Sequence, residues 1–275
     1  MGFININFKF KKFIIVLSMK LQELNIHERD KRLFFDEEPH IYYLDNKKID
    51  ISCTTFVHSH FPHFNQNSIS KNLVKKNFNN PDSKYYQKTQ DDILNEWEAN
   101  RVDASNKGTH LHKSIELFYN DEVYQNENIE FQYFLKFHED YSHLVPYRTE
   151  WEVFHEELDL AGSIDMVFYN TKTEKLEIFD WKRSKEIKKG SYDNGFSPLD
   201  HLPNSNFWHY SLQLNLYKYI LEKKYDKTIG DLNLVILHPN HYTYRVINVP
   251  LLTNEIDSIV CQRQQKRLKE QKSIL

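Results

Sequence analysis

At 275 residues, with 40% hydrophobic and 27% charged residues, the chain has the composition of a packed globular protein and the length to bury a sizeable core. A net charge of −3 excludes a protein that coats nucleic acid by bulk electrostatics, so any contact with DNA must come from local basic patches. Two free-looking cysteines, Cys53 and Cys261, and apolar runs all shorter than a membrane span predict a soluble intracellular protein of the cytoplasm or nucleus.

Residues 1–30 carry no clear period and read as a loosely ordered arm, whose apolar run 13–17 is too short for a signal-peptide core. From Arg32, the runs RLFFD, HIYYLD and IDISCTTFV fall at hairpin spacing, with Asn46-Lys47-Lys48 as a turn, and predict a β-meander. His58, His60 and His63 follow. On an extended chain the first two would share a face and could ligate zinc, against which Phe61, Pro62 and Phe64 read as packing residues. A helix is expected over 68–78, and another from Thr89, where T-x-x-D has the form of a capping box. In KGTHLHKSIELFYN, Leu111, Ile115 and Phe118 mark a buried helical stripe, with His112 and Glu116 on the adjoining face.

Helix is expected again over 131–143, ended by Pro146, and then a strand over 147–155 in which Glu150 and Glu152 alternate with Trp151 and Val153. It feeds LAGSIDMVFYNTKTEKLEIFDWK. Runs 164–169 and 175–181 flank the turn-like 170–174 and predict a β-hairpin. Asp180 and Lys182 share one strand face and Asp165 can join them from the partner strand, with Ile164, Met166, Phe179 and Trp181 on the opposite face. Two carboxylates and an ammonium converging on a sheet edge suit Mg²⁺, or Mn²⁺, with Lys182 holding an attacking water. The basic run Arg183, Lys185, Lys188 and Lys189 leaves this cluster, placed for phosphate contact. After an irregular loop come a helix over 208–223, with Gln213 and Tyr217 four apart, strands over 232–238 and 243–249, and a helix over 254–271. The expectation is one α/β (α+β) domain over 31–275.

In order, Gly108-Thr109 with His112, Gly162 with Asp165, Asp180 with Lys182, and Gln213 with Tyr217 spell G-T-x-x-H, G-x-x-D, D-x-K and Q-x-x-x-Y. The series resembles the RecB-type, lambda-exonuclease-like branch of the PD-(D/E)XK nuclease superfamily, with Ile164 where the superfamily name has proline. The resemblance implies a restriction-endonuclease-like core, a central mixed β-sheet flanked by helices, here extended by the N-terminal meander and helices. It implies that Asp165 and Asp180 bind the metal, that the Trp181 carbonyl adds a ligand, that His112 joins them, and that Lys182 positions the water. Gln213 and Tyr217 would line the DNA path, with Glu116 and Glu150 in supporting positions. The implied activity is a Mg²⁺-dependent deoxyribonuclease, an exonuclease of DNA repair, recombination or replication. A structure-specific endonuclease and a DNA-binding module with a decayed site are the alternatives. A homo-oligomer or a helicase or recombinase partner is implied by family analogy only. PHIYYLDNKKIDISCTTFVHSHFPHF and HLPNSNFWHYSLQLNLYKYILE also look like segments of nuclease-like proteins of large DNA viruses.

Overall fold

The computed structural model describes residues 20–274, so the reading of residues 1–19 lies outside the described residues. The remainder of the expected loose arm is ordered: α1 spans Leu21–Leu24 and a 3-10 turn spans Glu28–Arg32. Tertiary contacts hold it. Leu21 is buried, and Asp30 accepts from the Arg148 guanidinium (2.8 Å) and the Trp151 indole N–H (3.0 Å). No local period announces such a tie, which is why the sequence reads as an arm.

The meander forms as β1 (Leu33–Asp36), β2 (Ile41–Leu44) and β3 (Lys47–Lys48), an antiparallel sheet in the order β1-β2-β3. Its tight turn is Asp45-Asn46, with φ of 49° and 65°, the left-handed pair that a two-residue hairpin of right-handed twist requires. Lys47 and Lys48, expected in the turn, are therefore paired strand. The third expected run is strand only at β4 (Ile51–Ser52). Ser52 then caps a helix, its hydroxyl accepting the Thr55 N–H, and α2 (Cys53–His58) buries Cys53, Phe56 and Val57 at helical spacing. That removes the extended geometry a zinc site at His58 and His60 needed. His60 Nδ1 lies 2.8 Å from the Phe56 carbonyl, and the His58 ring packs on His209 at 4.9 Å.

Next come α3 (Gln66–Asn77) and α4 (Gln90–Tyr119), the second opened by the expected capping box, in which Thr89 and Asp92 exchange bonds. α4 runs unbroken through Gly108, so the two helical stretches read separately in the sequence are one helix of 30 residues. After α5 (Ile129–Asp140), β5 (Leu144–His155) includes Pro146 rather than starting beyond it. Proline is tolerated there because, among the described strands, β5 pairs with β6 (Leu160–Asn170) alone, and the register shifts between Pro146 and Arg148. The chain ends with β7 (Lys175–Lys182), α6 (Asn206–Lys224), β8 (Ile229–Ile236), β9 (Arg245–Asn248) and α7 (Thr253–Ile274).

The fold is a mixed sheet flanked by helices. Its order is β4-β6-β7-β8-β9, with β5 also on β6; β7 runs antiparallel to β6 and parallel to β8. The β6–β7 hairpin is thus central, whereas the sequence placed its polar cluster on a sheet edge. One face packs Ile178, Leu232 and Leu234 against Leu212, Leu216 and Ile220 of α6. The other packs Met166, Phe168, Phe179 and Trp181 against Leu111 and Ile115 of α4 and Phe131, Phe134 and Phe137 of α5. Ile164, expected with this second set, belongs to the α6 side, where β6 leaves β7 for β4.

The end of β5 also sets an acid limit on stability. The His155 side chain is 5% exposed, and burial, helped by the Lys224 ammonium, holds it at about 4 instead of 6.5. As pH falls from 6.5 to 4 the unfolded chain takes up this proton before the folded one does. Stability from this group is therefore complete above pH 6.5 and falls by about 3 kcal/mol across the window. Urea unfolding at pH 7 and pH 4.5 should show the loss, and His155→Phe should flatten it; an unchanged pH slope in the variant would exclude His155 as its source.

Candidate metal centre

A fork in the sheet creates the site. β6 pairs with β7 from Met166 to Asn170 but with β4 at Leu160 and Ala161. Between these stretches the last residues of β7 face β6 without a ladder, and their backbone groups need other partners. Side chains supply them. Trp181 donates its N–H to Oδ2 of Asp165 (2.9 Å), and its carbonyl accepts from Nε2 of His112 (2.8 Å), which reaches over from α4. Trp181 is itself locked by its ring, buried edge-on to Phe134 and Phe137 at 5.6 and 5.5 Å.

A carbonyl can only accept, so Nε2 of His112 donates to it and Nδ1 faces the other way. There it lies 3.5 Å from Oδ2 of Asp165 and 3.9 Å from Oε1 of Glu150. His112, Glu150 and Asp165 each offer one ligand atom, all within 4.8 Å of one another. Nδ1 and the two carboxyl groups thus converge on one shared point.

Glu150 reaches this cluster from an unusual backbone. Its φ is 41°, a left-handed conformation inside a strand, between the register pairs Thr149–Met166 and Trp151–Ile164 that bracket Asp165 on β6. Ser163 donates to its Oε2 at 3.1 Å. Burial, then the Asp165 and Glu116 carboxylates, push its carboxyl up to about 8. Supporting status was the expectation for Glu150; it is instead one of the three clustered donors.

Asp180 stands beside this trio, not in it. Its Oδ2 is 2.7 Å from Nζ of Lys182, and the two side chains are 4% and 18% exposed. Burial raises the Asp180 carboxyl to about 6 despite the lysine, with Asp165 adding to the rise. Burial alone would lower Lys182, but the Asp180 and Asp165 carboxylates outweigh it and hold the ammonium above its ordinary range. The ammonium also sits over the Tyr210 ring at 4.7 Å. Tyr210 was not among the expected site residues; it lies three residues before Gln213 on α6, so the Q-x-x-x-Y stripe extended back one turn leads to it.

The other expected residues divide. Gln213 is half-buried and donates to Thr54 Oγ1 (3.1 Å) and Tyr217 Oη (3.2 Å). Tyr217 is 2% exposed, so it cannot line a DNA path; it packs beneath the site against Gly162. Glu116 pairs with Lys113 at 2.8 Å. Arg183 is withdrawn from the basic run by a half-hidden ion pair with Glu130 at 2.7 Å, while Lys185, Lys188 and Lys189 stay exposed.

Gly162 is explained by space. A Cβ there would lie 2.8 Å from Tyr217 Oη and 2.9 Å from its ring. Gly162→Ala should therefore cost about 1–3 kcal/mol through overpacking. A urea midpoint equal to that of the parent chain would show that the contact relaxes freely.

No family model and no curated protein matches this chain. Solved structures do match, among them the crystal structure of SSO0001, which is 15% identical with a TM-score of 0.32 over 80% of this chain and 75% of that one.

Proposed function

We propose that this protein is a metal-dependent nuclease that hydrolyses DNA phosphodiester bonds, an exonuclease of the RecB-type PD-(D/E)XK branch it resembles. One observation carries the reading: His112, Glu150 and Asp165, from a helix and two strands, bring ligand atoms within 4.8 Å of each other beside a buried Asp180–Lys182 pair. Two carboxylates and one imidazole lone pair, already oriented by Trp181 and Ser163, fit a small divalent cation such as Mg²⁺ or Mn²⁺.

A cation bound by these residues supplies Lewis acidity and makes water a better nucleophile. The chain's own groups do the rest. Asp165 is held by the Trp181 N–H and His112 by the Trp181 carbonyl, so neither must reorganise. Lys182, anchored by Asp180 and Tyr210, presents an ammonium that orients the attacking water and offsets charge growing on the phosphate. The water oxygen bonds to phosphorus as the P–O3′ bond breaks, and the 3′-oxygen takes the proton, leaving a 5′-phosphate and a 3′-hydroxyl.

Calorimetric titration with Mg²⁺ or Mn²⁺ tests the centre without DNA. His112→Ala and Glu150→Gln should each weaken binding by about tenfold to a hundredfold. Equal affinity in the parent and both variants would remove the metal from this cluster.

A further inference from the structure

The cleft that opens on the metal centre is about 1000 Å³ in volume. His112, Glu116 and Glu150 line it together with an aromatic wall from the meander, Phe35, His40 and Tyr42. Phe35 and Tyr42 are register partners across β1 and β2, their rings stacked at 4.5 Å and 26°. His40 stands edge-on to Phe35 at 4.8 Å and 87°. Tyr42 is buried and backs the wall, while Phe35 is half-buried and His40 exposed.

The lysines of this cleft are already committed, Lys113 to Glu116 at 2.8 Å and Lys20 to Glu122 at 3.0 Å. Among the described residues lining the cleft, a sugar-phosphate backbone therefore finds carboxylates and lysines paired to them, whereas a neutral aromatic base finds a ring to lie on. α4 also lines the cleft with Gly108, where a Cβ would meet no atom within 4 Å. Glycine is unfavourable inside a helix, and its lack of a side chain leaves this stretch open. Stacking on a protein ring needs a bare base face that can turn onto the ring; the last base of a duplex is held in place by its pairing partner, whereas an unpaired terminal base is free to turn.

We propose that the aromatic wall of the cleft is a nucleobase subsite, in which the unpaired terminal base of a single-stranded DNA end lies on Phe35. The inference takes the identity of its ligand from the nuclease reading, and it makes single-stranded ends the substrate class.

The test uses the whole chain and a single-stranded oligodeoxynucleotide with a terminal 2-aminopurine, titrated in EDTA so that base seating is read apart from hydrolysis. The parent chain should quench the fluorophore. Phe35→Leu should abolish quenching and weaken binding roughly tenfold or more, and Phe35→Tyr should retain both. An oligonucleotide with an abasic terminus should bind the parent chain as weakly as the intact one binds Phe35→Leu. No quenching by the parent chain, equal quenching by Phe35→Leu, or equal affinity for the abasic end would each overturn the subsite. Hydrolysis of the same oligonucleotide in Mg²⁺ separates the two claims. Phe35-dependent quenching without hydrolysis keeps the subsite and sinks the nuclease reading; hydrolysis without such quenching sinks the subsite alone.

Discussion

Asp180→Asn should lower the proposed DNA hydrolysis by about 10³-fold, equivalent to about 4 kcal/mol of transition-state stabilisation, and leave the urea midpoint almost unmoved. The effect follows from the ion pair at 2.7 Å: asparagine keeps the volume of the buried aspartate but no longer fixes the Lys182 ammonium. Tyr210 still holds the lysine from one side, at 4.7 Å, so the side chain stays folded in but loses its aim. The loss should fall on kcat, with the apparent KM for DNA near that of the parent chain. Turnover within threefold of the parent would remove Asp180 from the chemistry.

The second large effect lies outside the site. Asp30→Ala should destabilise the fold by about 3–5 kcal/mol, because it strands the Arg148 guanidinium, 4% exposed, without its carboxylate. It also takes the acceptor from the Trp151 indole N–H. Arg148 and Trp151 flank Glu150 on β5, so the same variant should weaken metal binding although Asp30 is not in the metal cluster. Urea unfolding and metal titration of Asp30→Ala and Asp30→Asn check both parts. A destabilisation under 1 kcal/mol in Asp30→Ala would mean that Arg148 finds another partner.

The hairpin of β6 and β7, the Thr89 capping box and the α6 helix were legible because their signals are local: period two, a short polar turn, a box closed within four residues. The shared face of Asp180 and Lys182 follows from the same period. What stayed hidden depends on the fold. Nothing near Glu150 in the chain announces a left-handed φ that aims it at Asp165, and the fork that leaves Trp181 to Asp165 and His112 arises from β4, over a hundred residues upstream. Tyr217 matched a motif by spacing, yet its ring is what Gly162 makes room for; the spacing was legible and the direction was not. Arg183 read as one more basic residue after Lys182 until α5 brought Glu130 to it. Ser52 shows the converse, a cap that was present in the sequence but masked by the nearby β-branched Ile49, Ile51, Thr54 and Thr55.

The most direct measurement incubates the purified chain with end-labelled linear DNA carrying single-stranded ends and with covalently closed circular DNA, in Mg²⁺, in Mn²⁺ and in EDTA, beside Lys182→Ala. The account predicts that linear DNA is degraded from an end, that the circle survives, and that EDTA and Lys182→Ala each stop the reaction. Degradation that persists in EDTA or in Lys182→Ala, or DNA that stays intact under every condition, would contradict it.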